Sequence, residues 1–159
     1  MPHPEITVAA VTETDGRFLV VEERIDRRLV INQPAGHVEP GETLLEAVVR
    51  EVREETAWLF TAKELVGVYL WRHPDTGRTT KRFTFTGAVT DLRPDQPLDE
   101  GIIATHWLTQ AELKEREPQL RSPLVLRCIE DYLAGRRQPL AAAAALDLGS
   151  ARELAAVAV

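Results

Sequence analysis

The 159-residue chain has one cysteine, Cys128. A single thiol can form neither an internal disulfide nor a thiolate metal cage, and it suits a reducing compartment. Long apolar runs are also missing: no stretch approaches the ~18 uncharged residues of a membrane-spanning helix. The opening residues, Met1-Pro2-His3-Pro4-Glu5, lack the basic start and apolar run of a secretory signal. Nor is there an excess of basic charge. Nineteen Lys and Arg stand against 25 Asp and Glu, a net charge of -6. A protein that grips nucleic acid mainly by neutralising phosphates should be basic, so a nucleic-acid polymer is not the expected partner. With 44% hydrophobic and 28% charged residues, what remains is one acidic, folded domain, expected in the cytoplasm and without a membrane partner.

The pattern along the chain predicts strands and helices in a mixed order. Residues 5–12 and 17–23 read as strands joined through Asp15-Gly16, a strong hairpin signal. Residues 29–33 form a third short strand, stopped by Pro34, and 35–41 read as a loop. Thr43-Leu44-Leu45-Glu46 is a capping box, and Leu45, Val48, Val49 and Val52 continue as one apolar stripe to a helix end near Thr56 or Ala57. Strands follow at 65–71, 82–90 and 102–108, with a polar loop over 91–101. A second capping box, Thr109-Gln110-Ala111-Glu112, opens a short helix, and Ser122-Pro123 opens a third that runs to 134. Cys128 falls on the apolar side of that helix and reads as a small buried hydrophobe. These elements indicate an α/β sandwich with a mixed sheet over residues 1–140. An alanine-rich tail over 141–159, helical or disordered, carries no evident chemistry.

Residues 36–58 hold the chemistry. They contain six acids and two arginines, a balance of -4, so most of the surplus negative charge sits in one stretch. At about 100° per residue, Glu51, Glu54 and Glu55 share an arc of about 100° on the first helix. Like charges three and four residues apart repel by a few tenths of a kcal/mol per pair. A glutamate-rich face can be mere solvated surface, but Gly36, Glu42 and Arg50 accompany this one at fixed spacing. A hard divalent cation would resolve the repulsion, because it prefers carboxylate oxygens and binds phosphates directly. Magnesium is the expected ion, with manganese able to substitute.

The stretch resembles the Nudix box, Gly-x5-Glu-x7-Arg-Glu-U-x-Glu-Glu-x-Gly-U, with U apolar. Gly36, Glu42, Arg50, Glu51, Glu54 and Glu55 match, Val52 and Trp58 fill the apolar positions, and Ala57 stands where the pattern has glycine. A left-handed helix end there would cost an alanine about 1 kcal/mol. The resemblance implies the Nudix fold, a mixed sheet between helices, and Mg2+-dependent cleavage of a diphosphate linkage. It implies that Glu51, Glu54 and Glu55 bind metal, with the Gly36 carbonyl as a further ligand. Arg50 and Glu42 would orient them through a salt bridge. Gln33-Pro34-Ala35-Gly36-His37, Phe18-Leu19-Val20-Val21-Glu22-Glu23 and Leu120-Arg121-Ser122-Pro123-Leu124-Val125 resemble the NudJ-type phosphatases of that family. Those enzymes release orthophosphate from nucleoside di- and triphosphates and from hydroxymethylpyrimidine pyrophosphate.

Several roles stay open at this point. Glu54 is the first choice for general base, and Asp99 or Glu100 could swing in from the 91–101 loop as base or extra ligand. Arg82 is the preferred phosphate contact, ahead of Arg28, and Trp71 could stack on a base or pyrimidine ring. The expected partner is a small nucleotide or pyrimidine pyrophosphate, and the chain acts as a monomer or homodimer. The alternatives are an ADP-ribose or dinucleoside polyphosphate pyrophosphatase and, in another class, a non-catalytic ligand-binding module.

Overall fold

A computed structural model describes residues 3–146. The strands are β1 (Glu5–Val11), β2 (Glu13–Thr14), β3 (Arg17–Ile25), β4 (Arg28–Asn32), β5 (Ala35–His37), β6 (Leu59–Arg72), β7 (Thr79–Thr90), β8 (Ile102–Thr109) and β9 (Gln138–Pro139). The helices are α1 (Leu44–Thr56), α2 (Gln110–Glu115), α3 (Leu124–Leu133) and α4 (Leu140–Leu146). The tail expected from residue 141 thus begins inside α4, and residues 147–159 lie outside the described residues.

The larger sheet has the order β5-β1-β7-β6-β9, with β1 and β7 parallel and the other pairs antiparallel. The smaller sheet is built on β3, which pairs with β2, β4 and β8. Side chains alternate across each strand, so β1 serves two cores at once. Val8 and Ala10 pack with Phe83 and Phe85 beneath Ala47, Val48 and Val52 of α1, and Ala143 of α4 joins them. Val11 points the other way and packs with Phe18, Val20 and Ile31, and with Cys128 and Ile129 of α3. The larger sheet therefore lies between α1 with α4 on one face and α3 on the other.

Two segments differ from the sequence expectation. The β6–β7 hairpin begins directly after α1, at Leu59, and not at 65. Its register shifts between Ala62 and Glu64 and again between Leu65 and Gly67. Such bulges break the period-2 alternation by which a strand is read. Residues 35–37, read as loop, form the edge strand β5 against β1. A side chain at Gly36 would sit 2.2 Å from the Glu51 carboxyl group, so glycine here answers a close approach and not a turn.

The helix termini follow the local chemistry. Thr43 Oγ1 accepts the Glu46 N–H at 3.1 Å, and Thr109 does the same for Glu112. Ala57 adopts the left-handed conformation, φ 64°, at the end of α1. Its N–H donates to the Arg53 carbonyl, and its own carbonyl accepts from Arg53 Nη1 and the Arg93 N–H. These bonds hold an alanine in a geometry that favours glycine.

Candidate active site

Burial of the apolar stripe of α1 fixes which flank of the helix meets β5. Arg50 organises that flank. Its Nε and Nη2 donate to the two oxygens of Glu42 at 2.6 and 2.9 Å, a bidentate pair. Nη1 donates to Glu51 at 2.8 Å and Glu54 at 3.1 Å, and Nη2 also reaches the His37 carbonyl at 3.0 Å. One guanidinium therefore ties three carboxylates to the β5 backbone. The same contacts hold the Glu42 carboxyl below the usual carboxylate range. Burial pushes Glu51 up, and Arg50 partly offsets this.

Glu55 lies deeper. Its Oε1 accepts the Ala35 N–H at 2.8 Å. Burial, followed by the charges of Glu23, Glu51 and Asp99, pushes its pKa up to about 9 despite that hydrogen bond. Only its second oxygen is left to turn toward the cluster.

Asp99 stands at the cluster already. Its N–H donates to the Glu54 carbonyl at 3.0 Å, and Gln96 Nε2 donates to the Arg53 carbonyl at 2.7 Å. The 91–101 loop is thus stitched along α1 and does not need to swing in. Carboxylate oxygens of Glu51, Glu54 and Asp99 come within 4.8 Å of one another. Glu100 is exposed and outside that group. An all-oxygen donor set facing a glycine backbone fits a hard divalent cation.

The residues expected to meet the substrate fall on a different surface. Arg82 is 5% exposed on β7, on the α3 face of the larger sheet, in register with Thr7 of β1 and Tyr69 of β6. Its Nη1 donates to Gln33 Oε1 at 3.1 Å and its Nη2 to Asn32 Oδ1 at 3.0 Å. No described carboxylate forms an ion pair with it. Trp71, half-buried and edge-on to His73, shares that face two residues beyond Tyr69. Arg28 is exposed at the β3–β4 hairpin and shares the Asn32 face of β4 by alternation.

Sequence reasoning gave no role to Asn32, Gln33, Glu23 or Arg121. Glu23, on β3, is shifted up by burial, with Arg121 opposing the rise, and its charge reaches Glu55. Glu23 follows the apolar run Phe18–Val21 of β3, beside Glu22 and Arg24, and its neighbours in sequence do not single it out. Gln33 lies in a segment that resembles the NudJ-type phosphatases, but the role it shares with Asn32 is not visible locally, because their partner Arg82 is about 50 residues away.

A nested acid cluster on a helix beside a mixed sheet defines a Nudix site, and the NUDIX domain family matches residues 1–128. The chain belongs to the Nudix family and is a Nudix pyrophosphohydrolase or phosphatase acting on a small molecule. It is 40% identical over 137 residues to Phosphatase NudJ of Escherichia coli strain K12, a match covering 86% of this chain and 88% of that protein. Phosphatase NudJ of Shigella flexneri matches to the same extent. Among solved structures, a NUDIX hydrolase from Nitrosomonas europaea superposes with a TM-score of 0.84 at 47% identity, covering 87% of this chain and 94% of that one. A MutT NUDIX hydrolase from Burkholderia pseudomallei has a TM-score of 0.68 at 22% identity, covering 82% and 98%, and shares the fold. Among the described residues no helix is long and apolar enough to cross a membrane.

Proposed function

We propose that this enzyme uses Mg2+, or Mn2+ in its place, to release orthophosphate from small phosphorylated metabolites: nucleoside di- and triphosphates and hydroxymethylpyrimidine pyrophosphate. The observation that carries this reading is the group of Glu51, Glu54 and Asp99 oxygens within 4.8 Å, in a chain similar to Phosphatase NudJ over most of its length.

Glu51, Glu54 and Glu55 would hold the metal, with the Gly36 carbonyl as a further ligand and Asp99 joining from its loop. When bound, the metal neutralises phosphate oxygens and lowers the pKa of water. Glu54, the half-exposed member of the cluster, accepts the proton from the attacking water. Arg50 and Glu42 hold the carboxylates in place and touch no reacting atom. Arg82, Arg28 and Trp71 serve the remainder of the substrate, with Trp71 offering a ring face.

The test is a phosphate-release screen over nucleoside di- and triphosphates, sugar nucleotides, ADP-ribose and hydroxymethylpyrimidine pyrophosphate, with and without Mg2+. Orthophosphate should appear only with the metal. Nucleoside monophosphate released from ADP-ribose, without orthophosphate from the other compounds, overturns the phosphatase reading. Absence of turnover throughout would return the chain to the binding-module class.

A further inference from the structure

A buried guanidinium normally has a carboxylate partner, because an unpaired charge inside a protein is costly. Arg82 is 5% exposed and has none among the described residues. Its terminal nitrogens meet two neutral amides instead. Arginine only donates, so both amides must turn their carbonyl oxygens toward it. The consequence for Gln33 is visible: its Nε2 faces the other way and donates to the Val125 carbonyl at 2.7 Å. The consequence for Asn32 is different. Its Nδ2 also faces away from Arg82, but it donates to no described protein group, and the residue keeps 8% of its surface exposed.

The direction in which Asn32 points follows from the strand. Asn32 and Val30 alternate onto one face of β4, and their β3 partners Val21 and Glu23 lie on the same face. Glu23 is the residue whose charge reaches Glu55. Asn32 thus shares a strand face with Glu23 and stands three residues before Ala35, whose N–H holds Glu55. Thr7, the β1 register partner of Arg82, has a buried hydroxyl without a hydrogen-bond partner. Among the described residues Arg82 has no ion-pair partner, and neither Asn32 Nδ2 nor the Thr7 hydroxyl has a hydrogen-bond partner.

We propose that Asn32 binds the substrate directly, donating its amide N–H2 to a phosphoryl oxygen, and that Arg82 is the positioning residue that fixes the amide this way and supplies positive potential behind it. The inference rests on the proposed phosphatase reading, and it deepens the substrate-side role of Arg82: the guanidinium acts through Asn32.

The test is Asn32→Asp in the full chain. Aspartate preserves the bond to Arg82 as a charged pair, so Tm should stay within 2 °C of the parent or rise. It replaces the donor with a negative oxygen. KM for the best substrate and the calorimetric Kd for inorganic pyrophosphate should rise at least about tenfold, with kcat within about threefold. Arg82→Lys keeps the charge but loses the two-pronged geometry, and it should weaken pyrophosphate binding in the same direction. Parental KM and pyrophosphate affinity in a stable Asn32→Asp protein overturn the proposal, as does a fall in kcat at constant KM. Arg82→Lys with parental pyrophosphate affinity overturns the positioning role. If the parent protein turns over none of the screened compounds, the phosphatase reading falls, while pyrophosphate binding still decides the fate of the Asn32 contact.

Discussion

The acidic flank of α1 and the polar wall around Arg82 have opposite imbalances. On α1, one guanidinium is shared among Glu42, Glu51 and Glu54, with Glu55 and Asp99 close by. At the wall, one guanidinium has two amides and, among the described residues, no acid. Neither set of charges is balanced among the described residues. A cation offsets the first and an anion the second, so a metal–phosphate pair satisfies both. In the proposed reading these regions are the two halves of one binding site, each recognisable by what it lacks.

The largest effect expected from breaking this pairing is on the acid side. Glu54→Gln should lower kcat by about 10³-fold, the range for loss of a general base, while the fold is retained because Glu54 is half-exposed. Steady-state kinetics with a circular dichroism melt separate the two effects. A loss below about tenfold would move the base role to Asp99.

A medium effect concerns Glu55. With a folded pKa near 9 and an ordinary value of 4.5 when unfolded, the native state binds the proton more tightly. The metal-free protein is therefore most stable near or below pH 4.5 with respect to this group. That contribution is lost as pH rises through 9. Melts in EDTA from pH 5 to 9 should show Tm falling, and saturating Mg2+ should offset the fall by binding the ionised carboxylate. Glu55→Gln should flatten the EDTA profile and raise Tm at pH 9 by about 4 °C or more. A parental slope in that variant would mean another group governs it.

The smallest effect is a control that touches neither region. Ala57→Gly relieves the left-handed alanine and should stabilise by about 1 kcal/mol, a Tm gain of about 3 °C. Activity and metal affinity should stay at parental values. A change in either would show that the end of α1 reports to the site.

The legible parts of the molecule were those fixed by local spacing. The arc of Glu51, Glu54 and Glu55, the Thr43 and Thr109 caps, and the α/β class with its mixed sheet follow from residues within a few turns of one another. The edge strand β5 was not legible, because Gly36 answers to a carboxylate 15 positions away and reads locally as a loop glycine. The full length of β6 was hidden by its two bulges. Asn32 and Gln33 acquire meaning only when β7 folds across and delivers Arg82.

The stitching of residues 91–101 to α1 has a kinetic meaning. Three backbone hydrogen bonds, Arg93 N–H to Ala57, Asp99 N–H to Glu54 and Ile102 N–H to Asp99, hold the loop in a defined course before any ligand arrives. The conformational entropy of placing Asp99 is therefore lost once, when the chain folds, and not again at every catalytic cycle. This acid belongs to the rigid wall of the vessel and not to its stopper. In the proposed reading, substrate and product pass Asp99 along a surface whose course is already set by folding.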